Sequence, residues 1–167
     1  GTFKPVKSAF ISGHEMHSEY IEVKAETIRQ LAEEQGPMYA VGTTSLRTLE
    51  SLYHMGVKAG MNKKISPAEI EIQQREVYEK SGIEDISKKQ AMENLLQWMD
   101  EKKTDRLITR TSILIAPGYR FRMIRGLVTN FHQPQSTLLL LIAAITGSAW
   151  KDIYAYALSN GFRFLSY

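Results

Sequence analysis

Polar and apolar positions alternate from Glu19 to Val23 (Glu-Tyr-Ile-Glu-Val), the period of a strand with one buried face. The period then lengthens. From Ala25 to Gln35 the apolar residues Ile28, Leu31 and Ala32 fall on one side of a helix, and Gly36-Pro37 stops it. Met38 to Val41 reads as a short buried strand. Gly42-Thr43-Thr44-Ser45 turns the chain into a helix over Leu46 to Met55, with Thr44 or Ser45 as its cap. Residues 57–105 are richer in Lys, Glu and Gln, and the pattern predicts a helical insertion: one helix from Pro67 to Lys80, and a second capped by Ser87 that buries Met92, Leu95, Leu96 and Met99. Leu107 to Ile115 and Arg120 to Thr129 are β-rich and joined by Ala116-Pro117-Gly118-Tyr119, which predicts a hairpin or adjacent strand pair. Ser136 or Thr137 caps an apolar helix, Leu138 to Ile145, expected to be buried between layers and ended by Gly147. Ser148 caps a last helix that Gly161 terminates, and Phe162 to Tyr167 reads as a strand.

Strands alternating with helices give an α/β fold, drawn as one domain over residues 1–167. Met38–Val41, Leu107–Ile115 and Arg120–Thr129 are expected to share one sheet with helices on both faces, a three-layer α/β/α sandwich.

Composition narrows the function classes. The chain is 43% hydrophobic and 23% charged over 167 residues, suited to a folded domain with its own core. A net charge of +3 and a pI near 9.1 are compatible with nucleic acid without requiring it. The absence of cysteine removes disulfides, thiolate metal sites and cysteine nucleophiles. The apolar run Leu138–Ile145 is far shorter than a membrane span, and Gly1-Thr2-Phe3 opens no secretory signal, so a cytoplasmic protein is expected.

Chemistry-bearing residues fall in separate segments. His14-Glu15-Met16-His17-Ser18-Glu19 groups imidazoles and carboxylates that can exchange protons; a zinc site would need a third ligand, and a polar strand start is the plain alternative. Val41 to Arg47 combines a turn glycine, helix-start N–H groups suited to an anion, and a guanidinium; a ligand-free capped turn is equally consistent with it. Thr129-Asn130-Phe131-His132-Gln133-Pro134-Gln135-Ser136-Thr137 joins a strand to a helix, where open α/β sheets bind ligands, and Phe131 could stack on a base. His54 reads as a surface or capping residue at a helix end.

Gly1-Thr2-Phe3-Lys4-Pro5-Val6, His14 to Tyr20, Val41 to Ser51, Thr129 to Leu138 and Arg163 to Tyr167, in this order, resemble the S-adenosylmethionine:tRNA ribosyltransferase-isomerase family. The resemblance covers Gly1 to Met55 and Ile108 to Tyr167, and leaves Val57 to Asp105 as an enlargement. Family members pair an α/β domain with an inserted β-barrel domain. This chain resembles the later part of the α/β domain, so the amino-terminal part of the same protein is an expected partner, and the fragment alone is expected to be inactive.

The resemblance implies that S-adenosylmethionine donates its ribosyl group to preQ1, a 7-aminomethyl-7-deazaguanine in a tRNA anticodon. Epoxyqueuosine-tRNA, adenine and methionine would result. S-adenosylmethionine is then a substrate, and no metal or separate cofactor is expected, since the sulfonium is the activated group. The resemblance makes His14, His17, Glu19 and His132 the acid/base candidates. It makes Thr2, Phe3, Thr43, Thr44, Ser45, Arg47, Asn130 and Phe131 the substrate-binding candidates, with individual roles unassigned. A non-catalytic tRNA- or nucleotide-binding domain of the same ancestry is the alternative. An S-adenosylmethionine methyltransferase is disfavoured by the lack of a G-x-G-x-x-G turn.

Overall fold

A computed structural model describes residues 18–78, 85–134 and 136–164. Strand β1 (Glu19–Lys24) runs directly into helix α1 (Ala25–Glu33), followed by β2 (Tyr39–Val41) and the long α2 (Thr43–Met61). Further along the chain come α3 (Lys88–Glu101), β3 (Arg106–Thr111), β4 (Gly126–Val128), α4 (Thr137–Thr146) and α5 (Trp150–Ser159). The fold is mixed α/β.

The strands do not share one sheet. Among the described residues, β1 pairs antiparallel with β3, and β2 pairs parallel with β4. The reason lies on either side of β3. One edge is taken by β1. On the other, Ile72 N–H donates to Arg110 O (3.3 Å) and Ser112 N–H to Ile72 O (2.8 Å), so that edge is occupied by the stretch expected to be a helix from Pro67. That expectation fails because these backbone groups serve β3; among the described residues only one 3-10 turn, Glu76–Tyr78, forms there.

One face of each ladder packs inward. Ile21, Leu107, Thr109, Thr111 and Ala40 are buried, while Tyr20, Ile108, Tyr39, Val41 and Val128 point outward and are exposed. The inner faces meet α1, α2 and α3 in one core. Residues 57–78 and 85–105 are built into it: α3 buries Ala91, Met92, Leu95, Trp98 and Met99, with Ser87 Oγ accepting from Gln90 N–H as its cap. Each such large apolar side chain contributes about 2 kcal/mol of burial. The α2–α3 contact is close enough that a Cβ on Gly56 would lie 2.0 Å from the carbonyl oxygen of Ala91.

Residues 120–125, expected as strand, are instead wrapped around a carboxylate. Glu50, on α2, is fully buried at 0% exposure. Its Oε1 accepts from Met123 N–H (3.0 Å) and Ile124 N–H (3.2 Å), and its Oε2 from Arg122 N–H (2.9 Å) and Tyr119 O–H (2.9 Å). Those N–H groups would otherwise be orphaned in the interior. Since the Tyr119 hydroxyl gives its proton to Glu50, it accepts from His54 Nε2–H at 2.9 Å. His54 is thus a partly buried member of an interior network in the middle of α2, not a helix-end surface residue.

Helix α4 is capped by Ser136, whose Oγ accepts from Leu139 N–H at 3.2 Å. Only Thr137, Leu138, Leu141 and Ala143 of it are buried, so it is packed on one side rather than all round. By length and apolar composition Thr137–Ser159 would suffice to cross a membrane. Gly147, at φ 60°, and the 3-10 turn Gly147–Ala149 break it into two helices, whose Leu138, Leu141, Tyr154 and Ala157 pack inward. Ser148 sits within that turn and does not cap α5. Gly161, at φ 73°, ends α5, and Phe162 N–H returns to Ala157 O (3.0 Å). The strand expected from Phe162 is not formed as far as Phe164; its remainder lies outside the described residues.

Gly56→Ala should destabilise the fold by about 2 kcal/mol in urea unfolding, against the roughly 1 kcal/mol that alanine gains over glycine within an unobstructed helix. Glu50→Ala should cost about 3 kcal/mol, because it strands buried donors, and Glu50→Gln most of that, because its amide N–H faces them. Burial and the nearby Arg122 lower the His54 pKa to about 4. Between about pH 4 and the ordinary histidine value of about 6.5 the unfolded chain binds a proton that the folded chain refuses. Stability should therefore fall as pH drops through that window, and fall less in His54→Gln, as read by the unfolding midpoint at each pH.

Candidate functional site

The parallel pairing of β2 and β4 decides which loops meet. Val41 pairs with Val128, and Gly42 N–H donates to Val128 O at 2.8 Å. Both strands therefore end at the same place. The turn Gly42 to Arg47 leaves one carboxyl end and the loop Thr129 to His132 leaves its neighbour, the position where open α/β folds hold ligands.

Gly42 holds φ 89°, a backbone that favours glycine, and is itself the N-cap of α2. No side chain caps this helix, contrary to the expectation for Thr44 or Ser45. Its first-turn N–H groups, on Thr43, Thr44 and Ser45, lie at the positive end of a 19-residue helix. Thr43 is buried, whereas Thr44 and Ser45 are exposed.

Arg47, one turn further in, is 2% exposed. Its Nε donates to Ile113 O (3.2 Å), and its Nη1 lies 2.9 Å from Glu19 Oε1 at the start of β1. Glu19 pairs with the guanidinium as an opposite charge, while the Nη2 atom has no hydrogen-bond partner among the described residues. Burial lowers the Arg47 pKa and the Glu19 charge raises it back. Arg47 is therefore engaged with protein groups, and through Glu19 it fixes the end of the His14–Glu19 segment against the α2 turn. Thr2, Phe3, His14 and His17 lie outside the described residues.

On the neighbouring loop, Asn130 is exposed and His132 is buried at 6% exposure. His132 Nε2 is 2.7 Å from Thr129 Oγ1, and its carbonyl accepts from Tyr154 O–H at 3.1 Å. Desolvation lowers its pKa, so the imidazole is neutral at pH 7. Phe131 stacks on Phe164 (centroids 4.5 Å apart, 5° between planes) and tilts against Tyr154, so protein rings occupy it in this structure. Glu19 at the start of β1 thus meets Arg47 of α2, and the α2 start with Thr43, Thr44 and Ser45 and the loop with Asn130, Phe131 and His132 follow neighbouring parallel strands. Thr129, Tyr154 and the Glu50 network were not foreseen. Thr129 lies three residues from His132 and was visible in principle; Tyr154 and Tyr119 meet their partners only through the fold.

Comparison with known proteins gives this arrangement a context. The chain matches the family described as queuosine biosynthesis protein over residues 1–167. The S-adenosylmethionine:tRNA ribosyltransferase-isomerase of Gluconobacter oxydans is 37% identical over 171 residues, covering 100% of this chain and 36% of the relative. That of Thiobacillus denitrificans is 36% identical over 172 residues, with the same coverage. The crystal structure of S-adenosylmethionine tRNA ribosyltransferase from Thermotoga maritima superposes with a TM-score of 0.52 at 26% identity, covering 88% of this chain and 37% of that one. The chain spans little more than a third of the length of these relatives. With the match running the whole length of the sequence, the chain belongs to the queuosine biosynthesis protein family.

Proposed function

We propose that this chain supplies part of the active site of an S-adenosylmethionine:tRNA ribosyltransferase-isomerase, completed by the remainder of a longer polypeptide. The reaction would move the ribosyl group of S-adenosylmethionine to the aminomethyl nitrogen of preQ1 in tRNA. The group rearranges to an epoxycyclopentanediol, and adenine and methionine depart. The observation that carries the reading is the meeting of the Gly42–Arg47 turn and the Thr129–His132 loop at the carboxyl ends of paired parallel strands, with Glu19 tied to Arg47. The relatives' names supply the reaction, and cytoplasmic tRNA would supply the acceptor.

Each element fits a need of that chemistry. The uncapped start of α2 offers N–H groups and a positive dipole end to the methionine carboxylate or a tRNA phosphate, and the Thr44 and Ser45 hydroxyls stand beside it. A proton next to the sulfonium must be removed, and a neutral imidazole is the right form for that task. His132 is held neutral by burial and oriented by Thr129. Asn130 can orient a ribose hydroxyl. Arg47 acts as a positioning residue for the Glu19 carboxylate, which serves as an acid/base candidate beside His14 and His17. Phe131 would contribute to base contact if Phe164 withdraws from its face.

The full-length protein, given S-adenosylmethionine and preQ1-containing tRNA, should release adenine and methionine in equal amounts. Release of S-adenosylhomocysteine would mean methyl transfer instead, and release of neither would mean a binding domain. His132→Ala should lower turnover by about a hundredfold or more while circular dichroism stays native; near-normal turnover in the folded variant would remove His132 from the acid/base set. Because burial lowers the His132 pKa, its basic form persists into more acidic solution. The acid limb of kcat should therefore lie below about pH 6.5.

A further inference from the structure

The opposite end of the β2–β4 pair holds a second feature. A cleft of about 730 Å³ opens where the two strands begin, roughly 10 Å along the strands from the motif loops. Its walls come from the turn after α1, the first residue of α3, the stretch wrapped around Glu50 and the end of α4. Lys88, Arg122 and Arg125 line it; among the described residues no acidic side chain is part of the lining, and the Glu34 carboxylate beside it accepts from Gly36 N–H at 2.6 Å.

These charges are not spent. Arg122 shares the Asp85 carboxylate with Arg120, and one carboxylate neutralises only one of two guanidinium groups. Lys88 Nζ gives one hydrogen bond to Glu34 O (2.6 Å), which leaves two donors. Arg125 is exposed and has no ion-pair or side-chain hydrogen-bond partner among the described residues, while its backbone N–H is fixed on Met38 O (2.8 Å). The rest of the lining mixes the polar Gln35 with apolar side chains, Pro37, Phe121 and Ile145 among them. The volume is several times that of a phosphate ion and lies in the range of small-ligand sites. Cations and apolar side chains lining one cleft suit a ligand with a phosphate and a flat, apolar-faced body.

We propose that this cleft binds a nucleotide unit, its phosphate at Lys88 and Arg125 and its base against Phe121 and Pro37. The unit would come either from a tRNA strand running past the reacting nucleotide or from a free nucleotide. The tRNA source rests on the function proposed above; the cleft itself does not.

Full-length protein would be titrated with tRNA by fluorescence anisotropy and, separately, with AMP by calorimetry. The Lys88→Glu/Arg125→Glu double variant would be compared with Lys151→Glu, a charge reversal at an exposed position on α5. If tRNA is the source, the double variant should bind tRNA at least about tenfold more weakly than Lys151→Glu, and Arg125→Ala should reduce the slope of log affinity against log salt by about 1. If a free nucleotide is the source, AMP binding should be lost in the double variant while tRNA affinity stays at that of the control. Wild-type protein that binds no tRNA would count against the proposed function, and the AMP titration alone would then decide the cleft. The proposal is overturned if the folded double variant matches Lys151→Glu for both ligands, or if the wild type binds neither.

Discussion

A single buried carboxylate organises the middle of this molecule. Glu50 sits at 0% exposure and gathers donors from Tyr119, Arg122, Met123 and Ile124, a segment about 70 residues away that has no ladder of its own there. Desolvation raises its pKa, and the four hydrogen bonds oppose that rise. The stretch so held delivers the chain to β4. Its placement therefore sets the register of Val128 against Val41, and with it the loop that carries His132. Glu50 and Arg47 lie three residues apart on α2, on neighbouring parts of one helix surface. One helix thus anchors the approach to β4 through the first and the start of β1 through the second.

Much of the local structure was legible because it is written at short range. The alternation from Glu19 to Val23, the Ile28/Leu31/Ala32 face, the Ser87 and Ser136 caps and the glycines at 147 and 161 all reappear as β1, α1, α3, α4 and α5 with their stops. What failed depends on distant partners. Residues 67–78 look helical until Ile72 is seen to pair with β3, and residues 120–125 look like a strand until their N–H groups are seen to meet Glu50. His54 read as a surface residue because its partner, Tyr119, is 65 positions away. Thr44 and Ser45 have the composition of caps, yet the glycine before them takes the cap position and leaves their N–H groups to other uses.

The candidate site shows the same division. The motif segments could be identified from order and residue type, but only parallel pairing says that the Gly42 turn and the Thr129 loop are neighbours. Burial changes what the residues can do. Arg47 is held by Glu19 and the Ile113 carbonyl, and His132 is a neutral, oriented imidazole rather than an exposed one. The cleft at the other end of the strands was not legible at all, since Lys88, Arg122 and Arg125 carry no motif and converge only through the packing of α3 beside the Glu50-bound stretch.

The near-contact of Gly56 with the Ala91 carbonyl bears on how this sequence can change over time. Two helices that touch backbone to side-chain-free backbone leave no slack at that point. Any residue at position 56 other than glycine requires the α2 and α3 backbones to separate at that point, loosening the contact that Met92 and Leu95 share. No single replacement at a neighbouring position compensates for that, because the obstructing atom belongs to the main chain and is present whatever residue occupies position 91. Position 56 is therefore a locked site: drift can reach the residues around it one at a time, but can alter this one only by remaking the helix pair.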